Sequence, residues 1–205
     1  MTRRVEVNDI AIEEAAKLIA GGGLVAYPTD TVYGLGCDPF SMEAVDRLIQ
    51  AKQRVKNALP ILVNSLVAAK RLAEFNAASL RLAERFWPGP LTLILRVRER
   101  LPSSVTGDSS FVGLRIPKHA TALNLAEKCG GSIIGTSANI SGQPSPRTAD
   151  EVMRQLGDRI DLVLDGGPSP LGKESTVAKV IGGEVTVVRE GAISQDEILK
   201  AVRAR

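Results

Sequence analysis

Lys52 and Arg54 are the residue pair whose types and spacing most directly suggest anion chemistry. They lie two positions apart, where a predicted helix ends. Side chains at this spacing point to nearly opposite sides of an α-helix but to the same side of an extended segment. An unwound helix end would let both cations reach one anion, with the planar fork of Arg54 bridging two phosphate oxygens and Lys52 acting as a point charge. The alternative is a solvated cationic helix end, which the helix macrodipole favours.

A second candidate is the stretch from Ile133 to Gly142, where an apolar strand runs into small polar residues. Thr136, Ser137 and Asn139 have small side chains that leave the backbone accessible to a ligand. Ser and Asn also supply short, stiffly placed hydrogen-bonding groups. The pattern predicts a polar ligand site at a strand end, with a plain turn of small polar residues as the alternative.

The third candidate is the loop from Tyr27 to Gly36, which follows a predicted strand. It brings several hydroxyl side chains together with Gly34 and Gly36 in one turn. Ligands of α/β proteins usually bind in loops at the ends of strands, so the position favours a binding role. The alternative is that Pro28 and the glycines only shape a connection.

One apparent motif fails on physical grounds. Gly167 to Lys173 matches the first seven positions of a phosphate-binding P-loop, but the eighth position is Glu174 instead of the Ser or Thr that would hold magnesium. Pro168 and Pro170 lack the amide hydrogens that such a loop points at phosphates. A carboxylate at this place would also repel a triphosphate. We therefore predict that this segment is only a connection.

Composition excludes several classes of protein. The 205 residues are 44% hydrophobic and 24% charged, as in an ordinary soluble globular protein. The chain has two cysteines, Cys37 and Cys129, which are far apart in sequence, so it supports neither a disulfide framework nor a cysteine-rich zinc site. It has one histidine, His119, which gives little support to a Ser-His-Asp site. The same cysteine content leads us to expect a reducing, cytoplasmic location. No run of 18 apolar residues occurs, so we expect no membrane-spanning segment.

Charge and aromatic content limit what the chain can bind. A net charge of +3 permits a polyanionic partner without demanding one. Because aromatic residues make up only 3% of the chain, a base-stacking platform for single-stranded nucleic acid is hard to build. An anion site should therefore depend on backbone amides, Lys and Arg.

Hydrophobic periodicity predicts the elements that position these residues. Asn8 or Asp9 can cap a first helix that ends at the glycines 21–23, and Ser41 can cap a second. Further helices are predicted near 66–73, 77–86, 118–128, 148–156 and 195–202. Strands are predicted at 24–27, 60–63, 91–97, 111–116, 132–136, 161–165, 175–180 and 184–189, the last two forming a hairpin turned at Gly182 and Gly183. The alternation predicts an α/β fold, a single domain with a twisted mixed sheet and flanking helices.

Further stretches complete a family resemblance. They are Phe86-Trp-Pro-Gly-Pro90-Leu-Thr-Leu, Gly113-Leu-Arg115-Ile-Pro117, Lys173-Glu-Ser175-Thr176-Val and Val188-Arg189-Glu-Gly191. Together with the three candidate segments, and in this order, they resemble the YrdC-like family, whose best-known members are threonylcarbamoyl-AMP synthases. The resemblance runs from about residue 11 to 193 and is to the short form. It implies one YrdC-like domain over residues 1–205, ending before the extra C-terminal domain of longer relatives.

The resemblance implies a nucleotidyltransferase reaction in which L-threonine, bicarbonate and ATP, with Mg²⁺, give threonylcarbamoyl-AMP and pyrophosphate. That product is the activated intermediate for threonylcarbamoyladenosine in tRNA. The implied partners are downstream threonylcarbamoyl-transfer proteins, and direct tRNA contact is compatible with the chain. The implied catalytic residues are Lys52, Arg54, Ser137 and Asn139; those for threonine are Thr31, Arg115, Ser137 and Ser175; those for the nucleotide are Arg54, Asn139, Arg147 and Arg189.

The chain departs from the family pattern at three positions, and no role is carried to them. Val55 stands where a proline often follows the Lys-x-Arg motif, Ala58 where some relatives have a nucleotide-contacting asparagine, and Val63 where some have a threonine-contacting histidine.

The sequence leaves two other functions open. One is a YrdC-like paralogue with a different nucleotide or carbamoyl-type activity, and the other is an RNA-binding module with a basic concave face. A related carbamoyl-transfer domain of hydrogenase maturation normally sits in a much larger chain with cysteine-rich zinc elements.

Overall fold

The computed structural model describes residues 1–54 and 58–203. Its helices are α1 Asp9–Ala20, α2 Met42–Ala51, α3 Leu66–Leu72, α4 Ala77–Phe86, α5 Ser103–Thr106, α6 Ala120–Lys128, α7 Ala149–Leu156 and α8 Gln195–Arg203. Its strands are β1 Arg3–Glu6, β2 Val25–Tyr27, β3 Gly34–Gly36, β4 Ile61–Val63, β5 Leu91–Arg96, β6 Phe111–Arg115, β7 Ser132–Ile134, β8 Thr136–Ser137, β9 Leu162–Asp165, β10 Thr176–Ile181 and β11 Glu184–Arg189. None of the helices in these ranges has the length and apolar character needed to span a bilayer.

The predicted α/β class with mixed strand directions and flanking helices is confirmed, and the strands divide between two sheets. The first sheet has the order β1-β9-β2-β3-β8 and the second has the order β11-β10-β5-β6-β4-β7. Each contains parallel and antiparallel pairs: β2 is parallel to β9 and antiparallel to β3, and β5 is parallel to β10 and antiparallel to β6. One apolar cluster contains residues of both sheets, including Leu35 and Leu93.

The two sheets separate where the sequence predicts one continuous strand, at 132–136. The chain forms β7 against β4, then leaves that sheet at Gly135 and enters the first sheet as β8 against β3. Gly135 donates its amide to Pro60 O, at 2.9 Å. A Cβ at this position would collide with the Leu62 side chain. The crossing therefore depends on a close approach that only glycine allows.

Local sequence signals fix most helix starts as predicted. Asn8 caps α1, with its side chain accepting from Ala11 N, and Ser41 caps α2 in the same way. The predicted hairpin of β10 and β11 forms, with Gly182 and Gly183 both at positive φ as its turn requires. The strands β1 and β3 and the short helix α5 were not predicted.

One face of the second sheet carries both polar and apolar side chains that do not enter the core. Side chains alternate between the two faces of a strand. On β5 the leucines 91, 93 and 95 pack into the core, which turns Thr92 and Ile94 to the opposite face. The neighbouring strands follow the same alternation, so Gly113, Val177 and Lys179 join Thr92 and Ile94 on one surface. This surface is the floor of a cavity.

Candidate functional site

A cavity of about 560 Å³ lies between this face of the second sheet and a wall from the first sheet. Residues of β5, β6 and β10 form its floor. The loop that leads from β2 to β3, together with β8, forms the opposite wall, to which Thr31 and Ser137 contribute. Two of the three segments singled out in the sequence therefore lie side by side in one wall of the cavity. Arg54, from the third segment, also lines the cavity.

Helix α2 unwinds at its C-terminal end, as the anion site predicted at Lys52 and Arg54 requires. Gln53 N bonds to Gln50 O and Arg54 N bonds to Ile49 O, at 2.9 and 3.0 Å, while Gln53 has φ +50°. This is the Schellman arrangement that ends many helices through a left-handed residue. It turns Arg54 off the helix axis and towards the cavity.

Arg54 and Lys52 nevertheless occupy different places. The Arg54 guanidinium reaches Thr136 Oγ1 and Ala58 O, both at 3.3 Å, and lines the cavity. Lys52 is 1% exposed and lies behind the wall, where its Nζ donates to Ser137 O and to Asn139 O, the latter at 2.7 Å. Lys52 thus holds the backbone of the Ser137–Asn139 segment from behind. Among the residues that the structure describes, no carboxylate forms an ion pair with either cation.

Burial makes these two cations costly and so favours an anion beside them. Burial, with the charge of Arg54 adding to it, lowers the pKa of Lys52 to about 7, although Glu174 opposes the shift. Burial also lowers the pKa of Arg54. A bound polyanion would relieve both effects. The arrangement can therefore bind phosphate or a comparable anion without any preformed metal site.

The pKa of Lys52 gives a prediction about stability. An unfolded lysine has a pKa near 10.5, so between pH 7 and 10 the unfolded chain binds more protons at this residue than the folded chain. The free energy of unfolding of the wild type should therefore rise with pH relative to that of Lys52→Met, which lacks the group. Urea titrations of both proteins from pH 6.5 to 9.5 measure the difference. A constant difference over this range would contradict a depressed pKa for Lys52.

At the other end of the cavity, Arg115, Thr31 and Ser175 lie together as the resemblance implies. Arg115 is 5% exposed and donates to Thr31 Oγ1 at 2.9 Å and to Gly89 O at 3.0 Å. Ser175 Oγ is 2.9 Å from the hydroxyl of Thr92. All of these residues except Gly89 line the cavity. Hydroxyls beside a buried guanidinium form a pocket suited to a carboxylate and a small polar side chain.

Arg189 also lines the cavity and is held by Glu174. Their ion pair measures 2.6 Å, and Arg189 Nη2 donates to Ser175 O at 2.9 Å. Glu174 in turn accepts from Ser145 Oγ at 2.5 Å. Glu174 thus links the amino-acid end of the cavity to the loop after β8.

Asn139 and Arg147 lie outside the cavity lining. Asn139 Nδ2 donates to Ile140 O and to Gln143 O, at 2.9 and 2.7 Å, so this side chain shapes the turn after β8. Its Oδ1 is buried without a partner among the described residues. Arg147 packs its guanidinium against Gly172. The structure therefore brings Arg54, Arg189, Arg115, Thr31, Ser137 and Ser175 together, and leaves Lys52, Asn139 and Arg147 behind or beside them.

The sequence alone missed Thr92, Glu174 and Lys179 as cavity residues. Thr92 could have been found, because a polar residue between Leu91 and Leu93 must face away from the core. Lys179, whose Nζ lies 4.4 Å from the centre of the Phe111 ring, follows the same alternation on β10. Glu174 carries no local sequence signal for a cavity position. Of the three departures, Ala58 lines the cavity, Val63 is buried in β4, and Val55 lies outside the described residues.

The segment 167–173 behaves as a connection. Ser169 N donates to Arg147 O at 2.8 Å and Leu171 N donates to Asp30 O at 3.0 Å, so two of its amides are already used. Lys173 is exposed and outside the cavity lining. We expect Lys173→Ala to change ATP affinity by no more than about threefold, unlike the loss of a P-loop lysine that reaches the terminal phosphates. Calorimetric titration with ATP checks this, and abolished binding in a folded variant would show that the loop does bind phosphate.

The cavity offers little for a resident metal ion. Among residues 1–54 and 58–203, no three His, Cys, Asp or Glu side chains gather where they could hold one. Glu174 is a carboxylate in the cavity wall, and its oxygens already have partners in Arg189 and Ser145. Mg²⁺ commonly binds through substrate phosphates with one or two carboxylates. The residues present therefore fit Mg²⁺ that arrives with a nucleotide.

Comparison with known proteins gives consistent matches. The family model Sua5_yciO_yrdC, which carries the description "Telomere recombination", matches residues 17–191. A threonylcarbamoyl-AMP synthase of Pyrococcus abyssi is 40% identical over 201 residues, covering 97% of this chain and 59% of that protein. One of Bacillus subtilis is 36% identical over 203 residues, covering 97% of this chain and 58% of that protein. The chain thus spans a little under three fifths of the length of these relatives.

The fold matches a solved structure equally well. The crystal structure of Pyrococcus abyssi Sua5 complexed with L-threonine superposes with a TM-score of 0.93 and 39% identity, over 99% of this chain and 61% of that one. The likeness therefore extends over both sheets and the cavity between them.

Proposed function

Because the chain belongs to the Sua5/YciO/YrdC family, we propose that it is an L-threonylcarbamoyladenylate synthase. The observation that carries the proposal is the convergence of two unlike anion sites in one cavity. Arg54 lies at one end, and Arg115 lies with Thr31 and Ser175 at the other. A reaction that joins an amino-acid derivative to a nucleotide needs this arrangement, because two anionic reactants must be held against their mutual repulsion.

The reaction sets the demands on the residues. The amine of threonine combines with bicarbonate and loses water to give a carbamate. An oxygen of that carbamate attacks the α-phosphate of ATP, the bond from the α-phosphate to the bridging oxygen breaks, and pyrophosphate leaves with the electron pair. Mg²⁺ brought with ATP would neutralise charge on the leaving pyrophosphate.

Each residue then has a proposed role. Arg54 and Arg189 bind phosphate oxygens of ATP, since both guanidinium groups line the cavity. Arg54 has no acidic partner among the described residues, and Arg189 is paired with Glu174 alone among them. Ser137 lies between the two ends and serves both substrates. Lys52 supplies positive charge from behind while it holds the carbonyls of Ser137 and Asn139. Asn139 fixes the turn after β8, and Arg147 remains a candidate nucleotide contact from the adjoining loop.

The amino-acid end fits a zwitterion. Arg115 only donates hydrogen bonds, so Thr31 Oγ1 must accept from it. Thr29 Oγ1 gives its proton to Val32 O at 2.6 Å, so Thr31 must in turn donate to Thr29 across 3.0 Å. One lone pair of Thr31 Oγ1 remains to accept from an ammonium group. Carboxylate and ammonium partners of an amino acid are thus offered side by side.

The wider setting is proposed on the same basis. The product would pass to proteins that transfer the threonylcarbamoyl group to tRNA, with tRNA contact by this chain itself as a compatible addition. A reducing cytoplasm agrees with Cys37 and Cys129, which are both free thiols. We propose a single YrdC-like domain over residues 1–205, since one apolar cluster joins both sheets.

The test is direct. The protein is incubated with ATP, Mg²⁺, bicarbonate and labelled threonine, and the products are examined by mass spectrometry for threonylcarbamoyl-AMP and by an assay for pyrophosphate. We expect both products, and neither without threonine. If no amino acid stimulates the release of pyrophosphate, the synthase proposal is wrong, and the chain is then a YrdC-like paralogue with another activity.

A further inference from the structure

Asp30 is a buried carboxylate directly behind the amino-acid end of the cavity. It is 4% exposed and forms an ion pair with Arg115, which is 5% exposed. Asp30 does not line the cavity, whereas Arg115 does. A charge buried this deeply is costly unless a partner and hydrogen bonds compensate for it. The pair therefore needs an explanation beyond local packing.

Three contacts fix the plane of the Arg115 guanidinium. Nε donates to Gly89 O, Nη1 donates to Thr31 Oγ1, and Nη2 donates to Asp30 Oδ1. A guanidinium has five N–H groups, so one remains on Nη1 and one on Nη2. The cavity-lining guanidinium therefore keeps two N–H groups, one on each terminal nitrogen, for a substrate carboxylate. Without Asp30, Nη2 would lose its anchor.

Asp30 itself is anchored through the same oxygen. Its Oδ1 also accepts from Lys118 N, at 3.1 Å, which ties the loop after β2 to the start of α6. Its Oδ2 is buried and has no partner among the described residues. Both observed contacts of the carboxylate therefore use the one oxygen that an asparagine side chain would also present as an acceptor.

We propose that Asp30 is a positioning residue for amino-acid recognition: it holds the guanidinium of Arg115 so that one N–H on each Nη points to the substrate carboxylate. It acts by the position of Oδ1 more than by its charge. Through Arg115 it also fixes which way the Thr31 hydroxyl points. The inference rests on the proposed function, because it assigns the amino-acid end of that same cavity.

Two conservative variants separate position from charge. Asp30→Asn keeps an acceptor at the Oδ1 position and loses the charge, whereas Asp30→Glu keeps the charge and moves the acceptor by one methylene. We expect the dissociation constant for L-threonine to stay within about threefold of wild type in the first variant and to rise at least tenfold in the second. The affinity for ATP should change less than twofold in both.

Asp161 provides matched controls. Its carboxylate also pairs with an arginine, Arg47, and accepts a backbone amide, from Leu24 N, but it lies outside the cavity lining. Asp161→Asn and Asp161→Glu should leave the affinity for threonine unchanged whatever they do to the melting temperature. A threonine affinity that follows melting temperature across all four variants would reduce Asp30 to a structural role and overturn the proposal.

Calorimetry with threonine and the turnover assay together distinguish a failure of the synthase proposal from a failure of the Asp30 proposal. If the wild type binds threonine but releases no pyrophosphate, the synthase proposal fails and the Asn and Glu ranking still decides the role of Asp30. If Asp30→Glu binds threonine as wild type does, or Asp30→Asn is the weaker of the two, positioning by Oδ1 is wrong. A wild type that binds no threonine overturns both proposals.

Discussion

Arg115→Ala should lose at least about a hundredfold in kcat/KM for threonine, and equally for serine and 2-aminobutyrate. The reason is that all three amino acids share the carboxylate that we assign to Arg115. Two charged hydrogen bonds at roughly 1.5–3 kcal/mol each would disappear, and about 1.4 kcal/mol corresponds to a tenfold change. Amino-acid-dependent pyrophosphate release measures the effect for each substrate. A folded Arg115→Ala enzyme that keeps its KM for threonine would contradict the carboxylate assignment.

This variant should also be less stable, because it leaves Asp30 as a buried charge without its partner. Breaking a buried ion pair from one side typically costs about 3–5 kcal/mol. Urea denaturation must therefore accompany the kinetics, and assays should be run where the variant is folded.

Ser175→Ala serves as the comparison within the same pocket. It removes a hydroxyl beside Thr92 and leaves the guanidinium in place. A site that hydrogen-bonds a substrate hydroxyl discriminates against an analogue that lacks this group. The ratio of kcat/KM for threonine to that for 2-aminobutyrate should therefore be smaller in this variant than in wild type. With the wild-type enzyme, serine, which lacks only a methyl group, should be a poor but detectable substrate, because a methylene-sized difference is worth about 1–3 kcal/mol. If the preference for threonine over 2-aminobutyrate is unchanged, Ser175 does not recognise the hydroxyl group of threonine.

Arg54→Lys should weaken the use of ATP by about 10- to 150-fold although the charge is kept. The Arg54 guanidinium lines the cavity without an acidic partner among the described residues, and its contacts with Thr136 Oγ1 and Ala58 O use only two of its five N–H groups. Lysine cannot replace a bidentate contact, and a charged hydrogen bond is worth roughly 1.5–3 kcal/mol. The measurement is the KM for ATP and the turnover number under saturating threonine.

Arg96→Lys is the control for this substitution, because Arg96 is exposed on β5 outside the cavity lining. It should behave as wild type. If Arg54→Lys also matches wild type in turnover and ATP affinity, Arg54 does not bind phosphate through its fork.

The sequence determined the local structure of this protein because the signals for it are local. Asn8 and Ser41 cap their helices through side-chain contacts three residues away. The two glycines at 182 and 183 supply the positive φ angles that the hairpin turn needs. The family motifs also predicted which polar residues belong to a site. Their functional roles stay predictions that the experiments above would test.

Only the tertiary structure decided how those residues are used, because contacts across the chain have no local signal. Nothing near Gly135 in sequence reveals that the chain changes sheets there. The need for glycine comes from the side chain of Leu62, which lies on another strand. Lys52 and Arg54 are neighbours in sequence, yet one lies behind the cavity wall and the other lines it, because a left-handed residue separates them. Asp30 and Arg115 are 85 residues apart, and their pairing exists only because the two sheets pack together to form the cavity.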